Sequence, residues 1–343
     1  MRFAACAIRE VFMARNHISS KIINSWWLRR LLLGILIFSL ITVFALYMVP
    51  SSALRPFIHT HIDTEKAFSA GEFFLEPVSF SVTTKDGIEL KGEEFRAERA
   101  KGVVILTSGL YNPVSTSLFG HAKLLYDNDY SVIIYESRAH NESEGKLIGH
   151  GITETNDLDA LIEYIRTFTT YLNLPIYLMG WNTGAAASIN TAAENPYVSG
   201  VIAVGSYANA KEYFCSLMRD EAHMSDLFMK IGQAFLDPYL KITYGFGSGG
   251  ISPDKSLSDL KIPVLLIAAT GDEFISSKES EKLAEGAGKN VSLWIRDVGY
   301  HYVTGYFINL EKDPEYCSRI LDFLSSSENA FSSDDTASSD GNS

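Results

Sequence analysis

A short apolar segment, Ile176 to Met179, leads into the turn Gly-Trp-Asn-Thr-Gly at residues 180–184, and small residues typical of a helix follow as far as Glu194. This pattern predicts a strand and a helix joined by a tight turn, which presents its central residue on a strained corner. Glycines bound the turn because only glycine lets the backbones of the strand and the helix approach closely. That position suits a nucleophile. Here it holds Asn182, whose amide has no proton that a base could usefully remove.

Two further residues could act together with the residue in this turn. Asp272 directly follows a buried, strand-like segment, and His301 follows the last such segment. A carboxylate can hold a histidine in one tautomer and balance the charge of the imidazolium that forms when the ring takes a proton. The other candidates, His121, His140 and His150, are better explained by helix packing or by hydrogen bonds in loops.

The elements that would position these residues alternate along the chain. Short apolar runs predict strands at 102–107, 131–135, 176–179, 200–204, 264–269 and 291–295. Helices are predicted at 118–127, 153–171, 184–194, 278–285 and 302–324, and a β-hairpin with an Asp-Gly turn precedes them at 80–92. Strict alternation predicts an α/β fold with a mostly parallel sheet covered by helices on both faces.

This order of elements and motifs resembles the α/β-hydrolase superfamily, and within it the monoacylglycerol-lipase-like and serine-aminopeptidase-like (S33) branch. Residues 135–145, Tyr-Glu-Ser-Arg-Ala-His-Asn-Glu-Ser-Glu-Gly, are similar to the family's Asp-x-Arg-Gly-His-Gly-x-Ser-x-Gly loop. Ala139 and Asn141 stand there in place of glycines. The resemblance covers residues 76–324, and it implies an α/β-hydrolase fold with a small helical cap at about 208–260.

The resemblance also implies roles for the candidate residues. Asn182 occupies the position of the nucleophilic serine, Asp272 that of the acid and His301 that of the base, in the family's chain order. The oxyanion hole would use the backbone N–H of Thr183 and that of Leu110, the latter in the loop after the third strand. The substrate would be an ester or another acyl compound, with lipase-like or esterase-like hydrolysis, and neither a cofactor nor a metal is expected.

The asparagine leaves the activity open, because loss of a serine nucleophile removes several orders of magnitude of rate. One interpretation is a catalytically inactive pseudo-hydrolase that acts as an extracytoplasmic binding or scaffold protein. A second is an enzyme with a displaced attacker, for which Ser108, Ser143 and Ser206 lie near predicted strand ends, or one in which His301 activates water directly. A third is deamidation of Asn182 to aspartate.

Residues 31–49 are 19 consecutive uncharged positions rich in Leu, Ile, Val and Phe, preceded by Trp26-Trp27-Leu28-Arg29-Arg30. At about 1.5 Å per residue a helix of this length crosses roughly 30 Å of hydrocarbon, and tryptophans suit the membrane interface. The run predicts a single transmembrane helix, with a cleaved signal peptide as the alternative. Six basic residues against one acidic residue in the first 50 predict a cytoplasmic N-terminus and an extracytoplasmic domain.

Composition limits the remaining possibilities. The chain of 343 residues has a net charge of −12, although its first 50 residues are basic. An acidic globular part argues against nucleic acid as a partner and leaves a small molecule, a lipid or an acyl substrate. The predicted organisation is a basic cytoplasmic segment at 1–30, a transmembrane helix at 31–49, a linker at 50–75, the hydrolase-like domain at 76–324 and a disordered tail at 325–343. The three cysteines have no metal-binding spacing.

Overall fold

A computed structural model describes residues 26–109, 115–221 and 223–339. Its eight strands are β1 (Val78–Thr83), β2 (Glu89–Phe95), β3 (Gly102–Thr107), β4 (Tyr130–Tyr135), β5 (Ile176–Trp181), β6 (Val198–Val204), β7 (Val264–Ala269) and β8 (Val291–Arg296). They form one sheet in the order β1-β2-β4-β3-β5-β6-β7-β8. Strand β2 is antiparallel to both of its neighbours, and the other neighbouring strands are parallel, which confirms the predicted mostly parallel sheet.

The helices are α1 (Trp26–Ile58), α2 (Phe119–Tyr126), α3 (Thr155–Arg166), α4 (Thr183–Glu194), α5 (Ala210–Ser216), α6 (Asp226–Tyr244), α7 (Pro253–Asp259), α8 (Ser277–Glu285) and α9 (Pro314–Ser339). Short 3₁₀ turns lie at Ala70–Phe73, Ser115–Leu118 and Leu310–Lys312, and a π-helical turn lies at Leu217–Glu221. The region predicted as a cap therefore contains α5, the π-helical turn, α6 and α7.

Strand β3 shows why the central strands are apolar along their whole length. All six of its residues are buried. Val104 and Leu106 face a core that also contains residues of α2 and α9, whereas Val103 and Ile105 face a second core with residues of α3, α4 and α8. Successive side chains of a strand point to opposite faces, so a sheet covered on both faces needs apolar residues at every position.

Helix α1 extends past the predicted end of the transmembrane segment and into the predicted linker. Its last two turns bury Ala53, Leu54 and Ile58 against aromatic and methionine side chains of the cap. Spacing of four residues between Leu54 and Ile58 places both on one helix face, which explains why this segment packs instead of remaining extended. The chain from 53 onward is thus attached to the domain.

The predicted start of the last helix was wrong. Helix α9 begins at Pro314 and not near residue 302, because proline suits the first position of a helix and disfavours helical backbone in the residue before it. The predicted disordered tail begins at residue 325, whereas α9 continues to Ser339, with Leu324 and Ser327 still buried. Residues 340–343 lie outside the described part of the chain.

Helix α1 is long and apolar enough to cross a membrane. Its best window has a mean hydropathy of 2.6, and none of that window is buried within the protein. A signal sequence near an N-terminus has the same properties, so this helix agrees with either a membrane span or a signal sequence.

Candidate active site

Asn182 forms the turn between β5 and α4, with φ of 52° and ψ of −115°. A positive φ is uncommon for a residue other than glycine, and it persists only where the surrounding structure holds it. The Asn182 N–H donates a hydrogen bond to the carbonyl of Val204 at 2.9 Å. A Cβ atom on Gly180 would lie 2.3 Å from the carbonyl oxygen of Gly184, so this close approach requires a glycine at 180. The turn is therefore as tight as its glycines predict.

Asp272 and His301 follow the carboxyl ends of β7 and β8. Nδ1 of His301 lies 2.8 Å from both carboxylate oxygens of Asp272. Oδ1 of Asp272 also accepts hydrogen bonds from the backbone N–H groups of Phe274 at 2.8 Å and Ile275 at 3.0 Å. Because an ionised carboxylate only accepts hydrogen bonds, Nδ1 carries the proton, and Nε2 of the neutral ring is the acceptor. The side chains of Asp272 and His301 are 1% and 8% exposed, so the pair is shielded from water.

The predicted acid and base lie beside the elbow residue. Nδ2 of Asn182 lies 3.3 Å from Nε2 of His301, although 119 positions separate the two residues in the sequence. The amide N–H thus points at the lone pair that would take a proton from a serine in a catalytic triad. Oδ1 of Asn182 is buried and has no hydrogen-bond partner among the described residues. The structure thus brings together the three residues that the resemblance predicts, with an amide at the position predicted for the attacking hydroxyl.

The loop after β3 packs against the elbow, as the resemblance implies for an oxyanion hole. A Cβ atom on Gly184 would lie 2.5 Å from the Ser108 carbonyl oxygen, and one on Gly109 would lie 2.4 Å from the Trp181 carbonyl oxygen. Thr183 is the first residue of α4, where backbone N–H groups point out of the helix end and favour negative charge. Leu110, the second predicted donor, lies outside the described residues.

Two of the serines considered as displaced attackers have structural hydrogen bonds. The Ser143 hydroxyl donates to the Glu136 carbonyl at 2.6 Å and accepts from the Lys91 N–H at 2.9 Å. The Ser206 hydroxyl donates to the carbonyl of Tyr207 at 2.9 Å. Both hydroxyl protons already bond to backbone carbonyl groups, which disfavours either serine as the nucleophile. Ser108 is buried.

Three other histidines have the packing and hydrogen-bonding environments that the sequence predicts: His121 bonds Tyr316, His140 bonds the Arg138 carbonyl, and His150 bonds Tyr213 and the Phe57 carbonyl. Burial lowers the pKa of His121 to about 3 and that of His150 to about 4. Burial also lowers the pKa of His140. All three rings are therefore neutral at pH 7.

Two aromatic rings beside His301 were not predicted as part of the site. The rings of Phe274 and Tyr302 lie with their centroids 4.9 and 4.7 Å from that of the imidazole. Phe274 is 53% exposed and lies two residues after Asp272, and Tyr302 follows His301 directly. Adjacency to the predicted acid and base was the signal that could have identified them. The two rings form an apolar surface beside the imidazole, against which an acyl group could pack.

Two residues of the loop at 135–145 have a positive φ although they are not glycines. Ala139 and Asn141 have φ of 58° and 45°. Arg138 in the same loop is buried and paired with Asp86 and Asp157, at 2.7 Å in each case. The loop is therefore held by a buried ion-pair network, and its positive φ values are imposed by the surrounding structure.

Comparison with known proteins agrees with the fold. Residues 98–237 match the serine aminopeptidase (S33) family. The chain is 24% identical over 243 residues to an uncharacterized Bacillus subtilis (strain 168) protein, YqkD, covering 70% of this chain and 78% of that protein. Together with the strand order, these similarities agree with an α/β-hydrolase fold.

Two solved structures show the same fold. The esterase Pf2001 of Pyrococcus furiosus aligns with a TM-score of 0.61 at 20% identity, covering 78% of this chain and 97% of the esterase. A proline iminopeptidase of Mycobacterium smegmatis aligns with a TM-score of 0.52 at 16% identity, covering 74% of this chain and 99% of that enzyme. At these identities the likeness concerns the fold.

Proposed function

We propose that this chain is a single-pass membrane protein whose extracytoplasmic α/β-hydrolase domain cleaves acyl esters, with water as the attacking group. The observation that supports this proposal is the buried pair of Asp272 and His301, whose Nε2 lies 3.3 Å from the amide of Asn182. A carboxylate that bonds Nδ1 leaves Nε2 basic, and a base in that state can activate water as well as serine.

The reaction needs one water molecule and no covalent enzyme intermediate. Water that displaces the Asn182 amide from Nε2 gives a proton to His301 as its oxygen bonds to the ester carbonyl carbon. The carbonyl electrons move to the oxygen, and the N–H of Thr183 stabilises the resulting oxyanion. Collapse of this intermediate breaks the bond to the alcohol oxygen, which takes the proton back from His301. Asp272 balances the imidazolium charge throughout.

The buried Oδ1 of Asn182 supports a water molecule at this position. An unpartnered carbonyl oxygen inside a protein costs about 1–3 kcal/mol, so a donor from water or substrate is favoured there. Without a serine, the oxyanion hole and binding still supply roughly 10³–10⁴-fold over water in triad variants, and His301 adds general-base catalysis of the attack by water. We therefore expect slow turnover.

Membrane anchoring is supported by the length and exposure of α1. Its apolar window is unburied, and Arg29 and Arg30 precede it directly. Basic residues stay on the cytoplasmic side, which would place the domain outside. Retention of the full-length protein in membranes after alkaline carbonate extraction tests the anchor, and release into the supernatant as a shortened chain would indicate a cleaved signal sequence.

The hydrolytic proposal is tested with p-nitrophenyl esters of graded acyl length and the full-length protein. We expect activity in the parent that His301→Ala lowers by at least about a hundredfold, the contribution of a general base, and that the exposed cap variant His223→Ala retains. Equal rates in the parent and in His301→Ala would reject catalysis by this site. The mass of the elbow peptide establishes whether residue 182 is still an amide, since deamidation would convert it into a carboxylate.

A second candidate, ligand binding without turnover, is favoured by the same amide. Its N–H donates to the lone pair of the base, and Asn182 is only 1% exposed. Mass spectrometry of lipids that co-purify with the protein would test it. A bound acyl compound that remains intact, together with hydrolysis no faster in the parent than in His301→Ala, would favour a binding protein over an enzyme.

A further inference from the structure

A cavity of about 920 Å³ lies away from the candidate active site, where the end of α1, the end of α6 and the loop at 144–147 meet. Its walls include Tyr47 and Arg55 from α1, Tyr239 and Tyr244 from α6, and Lys146 from the loop. This volume falls within the range of small-molecule sites, which is about 300–1,000 Å³. The catalytic arrangement described above makes no use of this cavity.

The charges that line the cavity favour an anion. Three cationic side chains, Arg55, Arg138 and Lys146, stand against one carboxylate, Glu144. Arg138 is already paired with two aspartates. Arg55 and Lys146 make no ion pair with any residue in the ranges that the structure describes, and both are exposed enough to reach a ligand. These two side chains are therefore the cations available to a bound anion.

Hydroxyl groups and aromatic rings complete the lining. The Tyr239 and Tyr244 hydroxyls lie 3.0 Å apart, and the Tyr239 ring packs edge-on against Tyr47 with centroids 5.4 Å apart. Thr243 Oγ1 is buried and has no hydrogen-bond partner within the described residues. The cavity thus combines donors for oxygen atoms with an apolar wall.

The position of Tyr47 on α1 sets the level of this cavity relative to a bilayer. Trp26 and Tyr47 are 21 residues apart on one continuous helix, which corresponds to about 31 Å at 1.5 Å per residue. That span matches the hydrocarbon thickness of a bilayer, and aromatic side chains concentrate at both of its interfaces. Tyr47 therefore marks the outer interface, and the cavity that it lines lies at the level of the lipid headgroups.

We propose that this cavity binds the phosphate group of an anionic phospholipid from the outer leaflet. Arg55 and Lys146 contact the phosphate oxygens, and the tyrosines pack against the glycerol and the first methylene groups of the chains. Such a lipid would bridge α1 to the cap helix α6. The proposal rests on the membrane anchor of the proposed function, because only a spanning α1 brings the cavity to the headgroups.

The experiment uses the full-length protein in nanodiscs of phosphatidylcholine, with phosphatidylglycerol added as the probe and retained lipid measured by native mass spectrometry. We expect retention of phosphatidylglycerol over phosphatidylcholine. Arg55→Gln and Lys146→Gln should each weaken retention roughly fivefold, a loss typical of one basic residue near an anionic surface. The matched control Lys230→Gln, on an exposed face of α6, should leave retention unchanged.

Different outcomes distinguish failure of the lipid-site proposal from failure of the proposed membrane anchor. If carbonate extraction releases the protein, the anchor itself is wrong, and the lipid proposal falls with it. If the protein stays in the membrane and Lys230→Gln weakens retention as much as Lys146→Gln, the cavity is not the binding site. Equal retention of the two lipids would reject an anion site. If millimolar glycerol phosphate displaces phosphatidylglycerol, the cavity is a site for soluble phosphate compounds. That result would overturn the proposal that its ligand is a lipid.

Discussion

Asn182 in the elbow and Asn141 in the 135–145 loop both have a positive φ, and the two regions of the protein use the asparagine side chain differently. Their φ angles are 52° and 45°. Both replace residues of the hydrolase pattern, a serine at 182 and a glycine at 141. Asparagine is one of the few residues other than glycine that tolerates this conformation.

The two asparagine side chains differ in their hydrogen bonds. Oδ1 of Asn141 accepts hydrogen bonds from the N–H and the hydroxyl of Thr64 at 2.7 and 3.0 Å, and its Nδ2 donates to Glu136 at 2.9 Å. The amide of Asn182 meets only His301, and its oxygen has no partner in the described chain. In the loop the new amide ties the segment after α1 to the domain. In the elbow the amide leaves one buried polar atom, Oδ1, without a hydrogen-bond partner among the described residues.

The largest expected effect comes from restoring the hydroxyl in the elbow. Asn182→Ser should raise kcat/KM for a p-nitrophenyl ester by at least about a hundredfold, because the base, the acid and the turn already have the geometry of a triad. The measurement is initial rates over a range of ester concentrations. Asn182→Ala serves as the control without a hydroxyl, and the gain should vanish in Asn182→Ser combined with His301→Ala. A serine variant no faster than the alanine variant would show that the elbow differs in more than its side chain.

Acidification should test the contact between His150 and the end of α1. Burial lowers the pKa of His150 from its usual 6.5 to about 4, and the ring donates to the carbonyl of Phe57. The unfolded chain therefore binds a proton that the folded chain does not, so this contribution to stability is present above pH 6.5 and is lost as the pH falls toward 4. The loss should reach roughly 3 kcal/mol. Urea unfolding at several pH values measures it.

His150→Gln removes the titrating ring and should flatten this part of the pH dependence. The exposed His223→Gln is the control and should leave it unchanged. A pH dependence identical in the parent and in His150→Gln would contradict the assignment to His150 and would point to the other buried histidines.

Substitution of Asn141 separates its hydrogen bonds from its backbone conformation. Asn141→Ala loses the hydrogen bonds to Thr64 and Glu136, and alanine tolerates a φ of 45° less well than asparagine does. We therefore expect the free energy of unfolding to fall by about 2 kcal/mol. Asn141→Gly loses only the bonds and should cost about 1 kcal/mol. Denaturant unfolding gives both values. If glycine is as costly as alanine, backbone strain contributes little at this position.

The smallest expected effect is a gain at the neighbouring alanine. Ala139 is buried with φ of 58°, which glycine adopts without strain. Ala139→Gly should stabilise the protein by up to about 1 kcal/mol, reduced somewhat by the lost methyl group. Ala122→Gly in helix α2 is the matched control and should destabilise by about 1 kcal/mol. Destabilisation of similar size in both variants would show that the loop is not strained at 139.

Much of the fold could be predicted from local patterns. The run from Val103 to Leu106 is apolar at every position, and it lies within the strand predicted at 102–107. The glycines at 180 and 184 indicate close contact of strand and helix, and the structure shows it. These features follow from side-chain periodicity and backbone sterics within a few residues, so no distant contact is needed to predict them.

The contacts across the chain required the folded structure. The distance between Asn182 and His301 depends on β5 and β8 ending at the same edge of the sheet, and the direction of the Asn182 amide depends on its neighbours there. Burial of Leu54 and Ile58 depends on where the cap helices lie, and a sequence pattern does not state which surface meets an apolar residue. The role of Leu110 stays a prediction. Local sequence sets the elements, and the packing of distant elements sets the distances on which chemistry depends.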